Sequence, residues 1–387
     1  MGHVATVDLA AAVAGAGGVG MLSSSTTCAA EGPTGRMTYT GPHSARGEYD
    51  MKRTGSLAVA LLLVATVAWS VAAQSPTVLH AAVGNNMNHV PSFVGVEKGI
   101  FLKHGIDLKL KVLNTGQEMS KALQAGEVQI IGSAFSNFPV AVERGLAARG
   151  VVGVIGDRSG KYWDQSITIF TRKGTGVTKV EDLAGRKLGT PVGGTADEYL
   201  GVLLAKKGIP RDKVQVLNVP PGNVVSALQG GSVDAVAVWE PYGSLVEARV
   251  PDAVLVSRGG GHIGYYINMG VRNDVIDKSP DVVERYVLGM VEAVAYTRKN
   301  PEEAAEISTR WVPGLEVPIA RKALAHMVFD PRITTHTVAA WDENIKTLLE
   351  QKKLRAPLPW QQGIELRFIE KVMKSHPQFF AGLPPVK

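Results

Sequence analysis

Downstream of Thr77, short apolar runs alternate with segments of helical period, and the alternation runs through two series. In the first, "TVLHAAV" predicts a strand and "VEKGIFLKHG" a helix closed by Gly105. "DLKLKVL" alternates like an exposed strand, and "GQEMSKALQAG" predicts a helix with Thr115 and Glu118 spaced as a capping box. "EVQIIGSA" and "VVGVIGD" predict further strands around the short helix "PVAVERG". The second series follows "SITIFTRKGTGV". It holds a short helix behind a Thr178/Glu181 box, the strand "KLGTPV" and the helix "ADEYLGVLLAKKG" stopped by Gly208. "VQVLNV", "DAVAVWE" and "AVLVS" then predict strands, with helices at "NVVSALQGG" and "PYGSLVEA". Beyond about Asp274 the strand signals vanish, and Ser279-Pro280 and Asn300-Pro301 open helices in the cap-then-proline order. The pattern predicts an α/β chain with two parallel-type sheets, crossover helices and a mostly helical carboxyl-terminal third.

"ALQAGEVQ" at 122–129 is echoed by "ALQGGSVD" at 227–234, each the end of a helix, a glycine stop and the entry to a strand. The echo reads either as two similar lobes or simply as two αβ turns built alike. Open α/β sheets bind ligands at the carboxyl ends of their strands, so two such edges face to face would make a cleft. The run Ala235 to Val238 reads as a strand buried on both faces that ends on Trp239, Glu240 and Pro241 at such an edge.

Met51 opens a different pattern. Lys52 and Arg53 precede an apolar stretch, Leu57 to Val67, and Val71-Ala72-Ala73 ends it with small residues. The stretch is short for a membrane span and reads as a secretory signal cut after Ala73. Such a signal works near an amino terminus, so residues 1–50, rich in small residues without a period, read as an upstream stretch preceding the true start at Met51. The single cysteine, Cys28, excludes a disulfide framework or multi-cysteine metal site. The net charge of +6 is spread along the chain, with no basic helix face of the kind that reads nucleic acid.

The chain has no GxSxG, HExxH or GxxxxGK[ST] motif, and its nine histidines show no metal-ligand spacing. His89 and His262 read as surface or core histidines, and Gly259-Gly260-Gly261 as a crossing between lobes. Binding candidates lie at predicted strand ends. "VGNNMNHVP" offers Asn85 and Asn86, or is a solvated turn. "SAFSNFP" offers Ser133, Ser136 and Asn137, or caps a helix. "GGTADEYL" places Gly194 and Thr195 at a helix start, where Thr195 and Glu198 also fit a capping box. Trp239 offers apolar area and one N–H donor. Glu240 either meets a ligand or caps the helix that Pro241 begins. Trp163, Tyr265 and Tyr266 either wall a ligand or pack the hinge.

Together "PSFVGVEKGIFLKHGIDLKL", "ALQAGEVQIIGSA", "VEDLAGRKLGTPVGGTADEYLGVLLAKKGI" and "ALQGGSVDAVAVWEPY" resemble the periplasmic substrate-binding proteins of ABC importers. The resemblance is to the group that includes the aliphatic sulfonate, taurine, nitrate and thiamine-precursor binders. It implies the two-lobed type II periplasmic binding protein fold: a first lobe from 74–169 and 265–387 and a second from 170–264, with crossings near Thr168–Lys173 and Ser257–Asn268. It also implies ligand contacts from Asn85, Asn86, Ser136, Asn137, Gly194, Thr195, Trp239 and Glu240. The function implied is capture of a small polar or anionic solute by a monomeric periplasmic protein that delivers it to a membrane permease and its ATPase, without catalysis, cofactor or nucleic acid. Asp197 and Glu198 stand where sulfonate binders carry small hydroxyl, His or Tyr residues, and no Arg or Lys is evidently placed to clamp an anion. A neutral or aromatic solute, such as a thiamine precursor or an aromatic carboxylate, is the alternative, and a pyrimidine-synthase-like enzyme is a further one.

Overall fold

The computed structural model describes residues 75–385. The Met51–Ala73 signal and the 1–50 stretch lie outside the described residues. Ten strands form two five-stranded sheets. The first contains β1 (Thr77–Gly84), β2 (Ile106–Leu113), β3 (Ile130–Ala134), β4 (Ala148–Ile155) and β10 (Ile267–Arg272), in the order β2-β1-β3-β10-β4. The second contains β5 (Ile167–Arg172), β6 (Lys187–Thr190), β7 (Gln215–Asn218), β8 (Ala235–Trp239) and β9 (Ala253–Arg258), in the order β7-β6-β8-β5-β9. The central strands β3 and β8 are buried at every position; β8 is apolar throughout, and β3 carries one buried polar residue, Ser133.

Both sheets are mixed rather than purely parallel. β10 runs antiparallel to β3 and β4, and β5 runs antiparallel to β8 and β9. The reason lies in how these two strands are reached. β4 ends at the carboxyl edge of the first sheet, and the chain crosses from there into the second sheet at the same kind of edge. The strand that receives it, β5, must therefore run backwards. β9 returns the chain in the same way and reverses β10. A helical crossover brings the chain back to the amino edge and keeps strands parallel; a direct crossing between sheets does not.

The two strand orders correspond position by position, with β3 in one sheet matching β8 in the other. The sequence echo falls at this matching pair, since 122–129 leads into β3 and 227–234 into β8. The crossings span 156–166 and 259–266. Thr168–Arg172 is thus strand, not hinge, and the chain joins the second sheet at Ile167, ahead of the boundary at 169/170 that the sequence suggested. A β-rich segment does not declare which sheet it joins.

The crossings are tied to each other by Asp164, which is fully buried. Its carboxylate accepts the backbone N–H groups of Gly261 and His262, each at 2.8 Å, and of Ile263 at 3.3 Å. Gly259, Gly260 and Gly261 all have positive φ, which glycine alone adopts freely and which turns the following N–H groups toward one point. Tyr266 donates to Asp157 at 2.5 Å, and the Trp163 indole donates to the His326 carbonyl at 3.1 Å, so these two aromatics pack the crossings. The remaining chain is helical, with Pro280–Lys299, Pro301–Trp311 and Thr335–Glu350 as its longest helices.

Candidate functional site

The carboxyl edges of the two sheets face one another across a small inner cavity lined by both lobes. The first lobe contributes Asn86, Asn88 and His89 after β1, Asn114 to Gln117 after β2, and Ser133, Ala134 and Asn137 around the end of β3. The second contributes Pro191 to Thr195 after β6 and Trp239 at the end of β8, and Tyr265 enters from the second crossing. Five of the eight residues expected at the site line this cavity: Asn86, Asn137, Gly194, Thr195 and Trp239.

Trp239 is 7% exposed, and its indole Nε1 has no partner within the protein. Its ring lies against Gly194, where a Cβ would come within 3.1 Å of the ring and of the Pro191 carbonyl. A glycine there lets the loop approach the indole face. Opposite stands His89, buried, with Nδ1 unpartnered. Burial lowers its pKa to about 3, so the imidazole is neutral at physiological pH and offers one donor and one acceptor. Gly132 makes room for it: a Cβ at 132 would lie 2.1 Å from the imidazole Cε1. The Asn88 side-chain oxygen is also buried without a partner. Buried polar groups are nearly always satisfied, and here several facing one cavity keep unused hydrogen-bonding capacity.

The other expected residues have different employment. Ser136 Oγ meets Thr195 Oγ1 at 2.8 Å and joins the two lobes across the cleft. Thr195 therefore does not cap its own helix. The helix Thr195–Lys206 has Gly194 as its cap, and the Gly193 N–H donates to Asp197 at 3.0 Å. Asn85 donates to Asn114 at 3.0 Å and its carbonyl accepts the Tyr242 hydroxyl at 3.0 Å, which supports the cavity wall from behind. Asn86 accepts the Asn88 N–H at 3.1 Å and sets the turn that carries His89. Asn137 accepts the Ser133 hydroxyl at 2.7 Å.

Glu240 lies outside the cavity lining and is fully buried. Its carboxylate accepts the Ser244 N–H at 3.0 Å and pairs with Arg258 at 2.7 Å. Pro241 is the cap of the helix Tyr242–Arg249 rather than its first residue. The choice left open by the sequence thus falls on a structural role for Glu240. His89, read from sequence as an ordinary histidine, sits in the cavity instead. Thr115 and Gln117 line it as well, and the strand-end rule applied to "VLNTGQ" would have pointed to them.

A wider outer cavity adjoins the first and shares Gly116, Gln117, Asn137 and Gly193 with it. Lys121, Arg144 and Lys353 line this mouth. Cations are thus present at the cleft, although no sequence spacing announced them, because they come from three segments far apart in the chain: Lys121 in a helix, Arg144 just after one, and Lys353 in the bend after another.

Glu198, in the first turn of its helix, is buried, and burial is the main cause that raises its pKa to about 7, with Asp197 adding to the rise and Lys353 opposing it. The folded-state value lies above the ordinary 4.5. Protonation therefore favours the folded chain: this contribution is complete below pH 4.5 and is lost as pH rises to about 7. The full swing is roughly 3 kcal/mol. Glu198→Gln is expected to melt several degrees above the parent at pH ~8 and to match it near pH ~4.5. Equal melting temperatures for the two proteins at both pH values would contradict this.

The family model described as "NMT1/THI5 like" matches residues 86–304, more than half of the chain. A Brucella abortus protein designated a binding protein is 27% identical over 224 residues, which cover 57% of this chain and 66% of the relative. The match thus spans just under two thirds of that relative's length. A Bacillus subtilis protein designated an aliphatic sulfonates-binding protein is 24% identical over 304 residues, 76% of this chain and 88% of the relative. Among solved structures, the alkanesulfonate-binding protein SsuA of Xanthomonas axonopodis pv. citri, bound to MOPS, has a TM-score of 0.66 at 17% identity and covers 76% of this chain and 99% of its own. The desulfurization enzyme DSZB reaches 0.59 at 16% identity, covering 78% and 99%. The architecture is the periplasmic binding protein fold, and that fold carries both binding proteins and an enzyme.

Proposed function

The chain belongs to the NMT1/THI5-like family, and from that premise we propose that it is an exported solute-binding protein that captures a small polar or anionic solute for an ABC importer. The observation that carries this reading is the set of buried, unpartnered polar atoms facing one cavity, Trp239 Nε1, His89 Nδ1 and Asn88 Oδ1. Aliphatic sulfonates are the first solutes to consider, following the designation of the Bacillus subtilis relative. We assign solute contact to Asn86, His89, Asn137, Gly194, Thr195 and Trp239.

The mechanism is closure of the two lobes about the crossings at 156–166 and 259–266. A solute entering the open cleft meets both strand-end loops, and the Ser136–Thr195 hydrogen bond forms as the lobes meet. The closed form is what a permease with its ATPase would recognise. The signal at Met51–Ala73 supports export. A neutral or aromatic solute is a second reading, favoured by one observation: no charged side chain lines the inner cavity.

A thermal-shift screen of sulfonates, taurine, nitrate, aromatic carboxylates and pyrimidines tests the proposal, because a ligand that binds only the folded form raises the melting temperature by mass action. At least one class should raise it and leave the compound chemically unchanged on recovery. Consumption of the compound would instead place the protein with the enzymes of this fold.

A further inference from the structure

The inner and outer cavities differ in charge in a way that orients a ligand. The inner cavity is lined by amides, hydroxyls, backbone, a neutral histidine and aromatic rings. Helices start at Thr115, Asn137 and Gly194 along its wall, but first-turn acids offset two of them: Glu118 follows Thr115, and Asp197 already accepts the Gly193 N–H. An anion buried there would lack a countercharge, which is costly in a site removed from water. The outer cavity carries three cations and no carboxylate.

The acids nearest that mouth are already engaged. Glu118 accepts the Asn114 N–H at 2.9 Å, and Glu143 accepts the Arg355 and Ala356 N–H groups at 2.6 and 3.1 Å. Asp197 pairs with Arg211 and, at 3.3 Å, with Lys353. The side-chain cations of Lys121 and Arg144 have no hydrogen-bond or ion-pair partner among the described residues. Two unpaired cations thus stand beside a cavity that holds none. The two cavities share Gly116, Gln117, Asn137 and Gly193, and Ser136 of the outer one bonds Thr195 of the inner one.

We propose that the solute has two parts, a neutral hydrogen-bonding head held between Trp239 and His89 and an acidic tail met at the mouth by Lys121 and Arg144, with Lys353 beside them. The tail is a carboxylate, sulfonate or phosphate, since the side chains recognise its charge rather than its central atom. This deepens the solute-binding reading and rests on it. Inorganic anions without a head, such as nitrate, should bind weakly.

Calorimetry on the exported protein, using matched pairs, tests the inference. Suitable pairs are MOPS with N-propylmorpholine, N-acetyltaurine with N-ethylacetamide, and hydrocinnamate with hydrocinnamyl alcohol. The expected result is that an acid-tailed member binds more tightly than its partner and loses the advantage at high salt. Lys121→Gln/Arg144→Gln should weaken the acid-tailed compound roughly tenfold and its partner less than about twofold. Trp239→Phe should weaken both members alike, because it acts on the head. Equal affinity within every pair, or an unchanged affinity in the double variant, would overturn the placement of the tail while leaving solute binding intact. Failure of every pair and of the wider solute screen would overturn solute binding itself, and this inference with it.

Discussion

Glu240→Ala is expected to destabilise the protein by about 3–5 kcal/mol, the cost of leaving one member of a buried ion pair without its partner. Arg258 is only 11% exposed at its side chain and would keep its charge beside an apolar gap. The effect extends beyond the pair. Arg258 also donates to the Gln165 carbonyl at 3.0 Å, so the pair anchors the first crossing to the edge of the second sheet. Urea unfolding measures the loss. Glu240→Ala/Arg258→Leu should recover part of it, since no charge is then stranded. A single variant as stable as the parent would show that Arg258 finds another partner and that the pair does not organise the crossing.

Trp239→Ala should weaken the tightest solute from the screen by about a hundredfold, because it removes the largest apolar wall of the inner cavity together with its free donor. Trp239→Phe keeps most of the wall and removes only the indole N–H, so about a tenfold loss is expected from one unmade hydrogen bond. The gradation between the two variants separates packing from hydrogen bonding. Wild-type affinity in both would remove Trp239 from the site, and equal losses in both would assign its whole effect to the donor.

Particular residues show how far the sequence could be read. The strands β3 and β8 were legible because a strand buried on both faces is mostly apolar and small, and their internal echo marks the matching places in the two sheets. Asn86, Asn137, Gly194, Thr195 and Trp239 were legible as site candidates because they follow strands, and the ends of strands converge in this fold. Thr195 and Glu198 fitted a capping box equally well, yet Thr195 bonds Ser136 of the other lobe instead. A local pattern cannot register a competitor that lies 59 residues away in sequence.

The sequence by itself determined the alternation of strands and helices, the two-series order of the chain and the loops on which a site could be built, because periodicity and turn chemistry are local properties. Only the tertiary structure decided the reversal of β5 and β10, which follows from where the chain crosses between sheets. It alone decided the charges at the cleft mouth, contributed by segments far apart in the chain. It also decided the fate of "WEP". Trp239 faces the cavity while Glu240, one residue on, turns into the protein to meet Arg258. β8 ends at Trp239, so Glu240 already belongs to the turn, and which of the two side chains meets the cavity depends on how the fold packs that turn.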